Sequence, residues 1–352
     1  MIYEYWFARM KNISDSKKKK LREAYGSAKE IYYIEETQLR LQNFLTKKDI
    51  EQLKMARKQK DLEEKYYNME EKGIDFVPYF QKTYPKRLSE LDAAPYALYV
   101  KGKLPDASKL SVAVVGARNC TPYGRDMARM FSYRLAAAGV FVISGMALGI
   151  DGWGHQGALE AGGETYAVLG SGVMRCYPSC HQNLYESIVR HGGVISEFPV
   201  YARAKPVFFP MRNRIISGLS DGILVVEARE KSGSLITADA ALEQGKDVFV
   251  IPGRIGDELS VGCNRLIRMG AVPVLTPDDI LDYYGVKTSD GSRNVNETEQ
   301  KILAFLGGKT MHMDEISAGL SLPMTQLLKC MIVLQKKGYV IEVGRNFFMK
   351  KI

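Results

Sequence analysis

The sequence predicts a doubly wound α/β protein, a mostly parallel sheet covered by helices on both faces, with a helical segment before it and a small winged helix-turn-helix after it. Three observations predict this. Between residues 73 and 285 short apolar runs alternate with amphipathic stretches, the rhythm of βα units around a parallel sheet. Glycine-rich turns follow several of those runs. The flanks, 1–72 and 297–352, lack that rhythm.

Residues 1–72 read as short amphipathic helices, with Leu39, Leu41, Leu45, Ile50 and Leu53 recurring among Lys, Gln and Glu. Ser14 or Asp15 is placed to cap a helix through Lys17–Lys20, a run that is either a solvated face or a phosphate contact. Strands are expected at 111–116, 140–144, 165–170, 194–197, 222–227, 247–251 and 272–275. Helices are expected at 123–138, 152–161, 182–191, 237–244 and 264–269. Pieces near 74–78 and 96–100 extend the edge of the sheet. Residues 286–296 are polar and read as a linker. Beyond them come helices at 299–306, 313–318 and 323–336, then a hairpin around Gly344.

The chain has 352 residues, enough for two or three domains, and a net charge of +9. The charge is uneven: 17 basic against 13 acidic residues in 1–72, and 10 against 6 in 286–352, but 16 against 17 in 111–285. Basic flanks suit a nucleic-acid partner as well as a solvated surface. With no run of eighteen apolar residues, no membrane span is expected, and the first twenty residues do not read as a signal peptide. Five cysteines without regular spacing fit a reducing cytoplasm.

Ligands of open parallel sheets bind beyond the carboxyl ends of the strands. Four exit loops there are rich in glycine and hydroxyls: Gly116-Ala117-Arg118, Ser144-Gly145 through Asp151, Gly170-Ser171-Gly172, and Ser232-Gly233-Ser234. Together they would offer a row of backbone donors to phosphates, with Arg118 as a fixed charge. Tight βα turns need small residues in any case, so the loops point to an anion site only as a set. The densest signal is Tyr201 to Arg214, where Arg203, Lys205, Arg212 and Arg214 interleave with Phe208 and Phe209, and no acid lies between Glu197 and Asp221. Cations that follow a backbone and rings on which bases stack are what a single strand needs. The prolines predict an extended loop there, with one phenylalanine anchored in the core and Phe209 contacting a base.

Catalytic groupings are poor. His155, His181, His191 and His312 are scattered, and Cys176, Cys180 and His181 lack a second pair of ligands, so no metal is expected. There is no P-loop and no nucleophile elbow. Asp151 and Glu227 are expected to cap a helix or order the arginine-bearing loops.

The blocks Val114-Val115-Gly116-Ala117-Arg118, Ser144-Gly145-Met146-Ala147-Leu148-Gly149-Ile150-Asp151, Ala167 to Gly172, Ser196-Glu197-Phe198-Pro199, Phe209-Pro210-Met211-Arg212-Asn213-Arg214-Ile215-Ile216, Ser232 to Thr237 and Pro252-Gly253 occur in an order that resembles the DNA-processing protein A (DprA/Smf) family. The resemblance implies an extended Rossmann-like fold flanked by a helical, SAM-like domain and a winged helix. It also implies a protein without catalytic residues or cofactor that binds single-stranded DNA and loads RecA in natural transformation. Carried over by position, the DNA contacts would be Arg118, Lys205, Phe209 and Arg212, with the glycine loops. The expected DNA-binding set is therefore Gly116, Arg118, Ser144, Gly145, Gly170, Ser171, Lys205, Phe209, Arg212, Arg214, Ser232 and Ser234. The resemblance further implies a homodimer or higher homo-oligomer formed near 264–272, where Ile267 suits an apolar contact. The sequence departs from the pattern at Ala117, Thr121 and Gly154. The N-terminal segment lacks a Gly-x-Gly hairpin, with Asn12-Ile13-Ser14-Asp15 in its place.

Two other classes are weighed. A nucleotide phosphoribohydrolase-like enzyme would carry an acid where Ala240 stands. A winged-helix regulator of duplex DNA would read bases through the helix 323–336, which holds no arginine.

Overall fold

Apolar and β-branched residues fill the strands of the computed structural model, which describes residues 1–10, 12–59, 61–286, 296–307, 309–336 and 339–350. These residues form two compact units, Met1–Val286 and Lys287–Ile352. The first holds nine strands: β1 Ile74–Pro78, β2 Ala97–Gly102, β3 Ser111–Val115, β4 Phe141–Ser144, β5 Thr165–Val168, β6 Gly192–Ser196, β7 Gly222–Val225, β8 Asp247–Val250 and β9 Val272–Pro273. Their order is β1-β2-β6-β5-β4-β3-β7-β8-β9. Pairing is parallel from β6 through β9, and β2 runs antiparallel to both β6 and β1. The expected mostly parallel sheet is thus present, with its antiparallel edge where the two short pieces were placed.

Alternation sorts the strand side chains between two faces. Ala113, Val115, Ile143, Ile195, Ile223 and Val250 meet one buried cluster, while Val112, Val114, Val142, Leu224 and Phe249 meet another on the opposite face. Helices α1 Ile2–Ala8, α2 Asp15–Tyr25, α3 Ala28–Tyr33, α4 Glu36–Arg40, α5 Lys47–Arg57 and α6 Leu62–Glu71 precede the sheet, and α7 Lys86–Ser89 lies between β1 and β2. Helices α8 Pro122–Ala137, α9 Ile150–Glu160, α10 Gln182–His191, α11 Phe208–Leu219, α12 Gly233–Glu243, α13 Val261–Arg268 and α14 Pro277–Tyr283 cover it.

The helical start shares one apolar core with the sheet: Tyr5, Trp6, Phe7 and Leu21 are buried in the same cluster as Phe76, Tyr96, Tyr99 and Val194. Glu4 joins the two, accepting from Ala28 N at 3.2 Å, from Arg22 Nε at 3.2 Å and from the Tyr96 hydroxyl. Ser14 caps α2 as expected, its Oγ accepting from Lys17 N. The lysine run that follows is largely engaged within the fold. Lys17 pairs with Asp49 at 2.6 Å, Lys18 is buried and donates to Ala8 O and Asp15, and Lys19 and Lys20 lie over the rings of Tyr79 and Phe44.

Besides the short α7, two helices were not read from the sequence. One is α14. The other is α11, which corrects the expected extended loop from Phe208 onward. Pro210 lies in its first turn, where a missing N–H costs nothing. Helix α12 begins four residues before its expected start, because Ser232 caps it by accepting from Ser234 N.

In the second unit α15 Glu297–Leu306, α16 Met313–Leu320 and α17 Met324–Lys336 accompany β10 Thr310–His312, β11 Val340–Gly344 and β12 Phe347–Lys350. The strands order β10-β12-β11, and Ile302, Leu306, Ile316, Leu327, Met331 and Leu334 are buried together. The three helices and the hairpin match the expected winged fold. The expected linker lies, from 287 to 295, outside the described residues. Among the described residues no single helix is long and apolar enough to cross a membrane.

Candidate nucleic-acid interface

Strand order reverses at β3, whose neighbours β4 and β7 follow it in opposite directions along the sheet. At such a switch point the two exit loops part and leave a crevice. A cleft of about 590 Å³ occupies it, lined by Arg118 and Asn119 after β3, by Arg229, Lys231 and Ser232 after β7, and by Pro206, Phe209 and Arg212 around the start of α11.

The Arg118 loop is tied down from both sides. Ala117 N donates to Glu227 O at 2.8 Å, and Ile150 N donates to Ala117 O at 3.2 Å. The Glu227 carboxylate accepts from Thr121 N at 2.9 Å and from the Thr121 hydroxyl, while that hydroxyl caps α8 by accepting from Gly124 N. Glu227 therefore orders the arginine-bearing loop, as expected. Arg118 itself is exposed, and its guanidinium stands 5.2 Å from the centroid of the half-buried Phe209 ring. Tyr177 meets the same ring at 5.5 Å. Phe208, next in sequence, is the core anchor: it is buried and stacked on Phe198.

Arg212 lies beneath. It is 4% exposed, and one nitrogen donates to Gly145 O at 2.6 Å and to Val168 O, while Nε donates to Asn213 Oδ1. Asp151 is also buried and accepts from Gly145 N at 3.1 Å and Ala147 N at 3.4 Å, so it holds the β4 exit loop. Burial pushes the Asp151 carboxyl up and the Arg212 guanidinium down, and each one's charge opposes the shift in the other.

A protein-family model described as DNA recombination-mediator protein A matches residues 75–285. The chain belongs to that family. Protein Smf of Escherichia coli (strain K12) is 36% identical to it over 301 residues, spanning 82% of this chain and 80% of that one. DNA processing protein DprA of Bacillus subtilis (strain 168) is 36% identical over 257 residues, 71% of this chain and 84% of the other. The X-ray structure of DprA from Streptococcus pneumoniae superposes with a TM-score of 0.57 at 31% identity, covering 77% of this chain and 98% of that one. DNA processing protein A of Helicobacter pylori, whose structure was solved for its single-stranded DNA binding mode, gives 0.54 at 27% identity, covering 60% and 95%.

Within this recombination-mediator chain the expected site residues separate by depth. Arg118 and Lys205 are exposed, and Phe209 joins Arg118 at the cleft. Ser232 and Ser234 line it too, though Ser232 caps α12 and their hydroxyls share a 2.8 Å hydrogen bond. Ser144 and Ser171 are buried, donating to Val114 O and Arg175 O. Arg214 is engaged with Ala93 O and Glu197. The glycines permit close packing: a Cβ on Gly116 would sit 2.6 Å from Ile150, one on Gly170 2.8 Å from the Phe209 ring, and one on Gly145 would run into the Arg212 guanidinium. Tyr177, Asn119 and Arg229 line the cleft without having been singled out in the sequence.

Proposed function

We propose that the cleft binds single-stranded DNA. The observation that carries this reading is the Arg118–Phe209 pair at its mouth: an exposed guanidinium for phosphate, held against a ring that a base can cover. Arg229 and Lys231 add positive charge to the cleft and Tyr177 a second ring, while the exposed Lys205 directly precedes Pro206 of its wall. Arg212 and Asp151 act one layer down, fixing the loop that carries Gly145 and the seat of Phe209. The named relatives support a role in DNA recombination, and binding of single strands by the Helicobacter pylori protein supports the ligand class.

The finer reading is that this chain protects single strands and loads RecA on them, as in natural transformation, without chemistry of its own. It would do so as a homodimer or larger assembly. The exposed apolar residues Val261 and Met269 on and beside α13, with the half-buried Ile267 between them, suit that self-association. Fluorescence anisotropy of labelled oligo-dT and a duplex of equal length, each at two salt concentrations, tests the ligand. Tight, salt-sensitive preference for the single strand is expected, because each neutralised phosphate releases counterions. Equal or stronger duplex binding would overturn it.

A further inference from the structure

Helix α9 begins beside the Arg118 loop. Gly149, with φ of +74°, lies so close that a Cβ there would collide with the carbonyl oxygens of Ala117 and Arg118. Leu148, 44% exposed, lines a small hollow of about 50 Å³ together with Arg118, Tyr177 and Phe209. One turn into α9 stands Trp153, whose backbone N–H donates to Gly149 O at 3.1 Å. Its neighbours Asp151, Gly152, Gly154 and His155 are all buried, whereas Trp153 is 38% exposed. Core packing therefore does not account for a side chain of that size. The guanidinium of Arg125, from α8, lies 5.7 Å from the indole centroid. Arg125 also pairs with Asp126, but both are exposed, and such a pair holds a charge weakly enough to exchange for a phosphate.

We infer that Trp153 and Arg125 form a second base-stacking platform, taking a nucleotide of the same single strand after it leaves the Phe209 cleft. The inference rests on the proposed function. Its grounds are continuity and chemistry. The Arg118 loop lies with Leu148 and Phe209 on one side and against Gly149, one turn before Trp153, on the other. Each platform is an aromatic ring, half-buried at Phe209 and exposed at Trp153, with an arginine near its face, which suits a base and its phosphate.

The chain has two tryptophans, and Trp6 is 2% exposed, so Trp153 reports on its own occupancy. Titrating the full chain with oligo-dT should quench the tryptophan emission, and Trp153→Ala should abolish the quench. That variant should bind a long oligo-dT about tenfold more weakly, yet bind a strand short enough to fill only the cleft like the parent. Trp153→Phe, which keeps a ring, should retain most of the affinity. Unquenched emission with binding that still depends on Phe209 would overturn the platform and leave the cleft standing. Binding indifferent to both Phe209→Ala and Trp153→Ala would overturn the cleft, and the platform with it. Intact DNA binding in Trp153→Ala combined with failed assembly on RecA would reassign the indole to a protein contact.

Discussion

The Arg118 guanidinium stands 5.2 Å from the Phe209 ring centroid, joining the exit loop of β3 to the first turn of α11. A base that stacks on this ring also approaches the charge, so the two side chains should act as a unit. Arg118→Ala and Phe209→Ala are each expected to weaken oligo-dT binding, by roughly 1–3 kcal/mol for the ring. In a double-mutant cycle the pair should show a coupling of about 0.5–2 kcal/mol. Anisotropy titrations of the four proteins measure it, and full additivity would show that the two residues contact DNA independently.

Arg118, in a glycine loop, and Arg212, in the basic aromatic segment, looked alike in the sequence as DNA-contacting cations, but they differ in depth. Charge counting cannot separate them, because depth depends on helical phase. Once α11 begins at Phe208, Arg212 falls on its buried side, against Gly145 O and Val168 O. The phase was hidden because Pro206 and Pro210 suggested extended backbone, whereas a proline in the first turn is compatible with a helix. The sheet was legible because its period is local: buried runs such as Val112–Val115 and Ile223–Val225 need no distant information. Tyr177 and Arg229 were not singled out, since only the crossing of the chain at the switch point brings them to one cleft.

Removing Arg212 should damage the fold and not merely the affinity. Arg212→Ala leaves Gly145 O and Val168 O without their donor and Asp151 without the charge that favours its ionised form. A loss of about 3–5 kcal/mol of unfolding free energy is expected, read by urea denaturation. Arg118→Ala, at an exposed position, should leave the urea midpoint within about 0.5 kcal/mol of the parent. Equal stability of the two variants would contradict the assignment of Arg212 to a positioning role.

Gly170→Ala probes the seat of Phe209 without touching its ring. The added methyl would come 2.8 Å from Phe209 Cδ1, and the half-buried ring has room to swing away. Oligo-dT affinity should fall several-fold while stability falls by no more than about 1–3 kcal/mol. Gly256→Ala is the matched control, because a Cβ there meets nothing within 4 Å and Gly256 does not line the cleft. It should bind DNA as the parent does and be as stable or slightly more so. The experiment pairs anisotropy with thermal melts of both variants.

Glu197, just past β6, gives the first unit a pH dependence of its own. Its Oε2 accepts from Arg214, while Oε1 has no hydrogen-bond partner among the described residues. Burial pushes the carboxyl from its ordinary 4.5 up to about 7, with the Arg214 charge pulling the other way. Between those values the folded chain keeps a proton that the unfolded chain has released. The stabilising contribution is thus full below about pH 4.5 and is lost as pH rises through about 7. Glu197→Gln can still accept from Arg214 but has no charge to bury. Its stability relative to the parent should therefore rise between pH 5 and pH 8, by an amount on the order of 2–3 kcal/mol. Urea midpoints at the two pH values decide it, since a difference that stays constant means that Glu197 holds the same charge in the folded and unfolded chain.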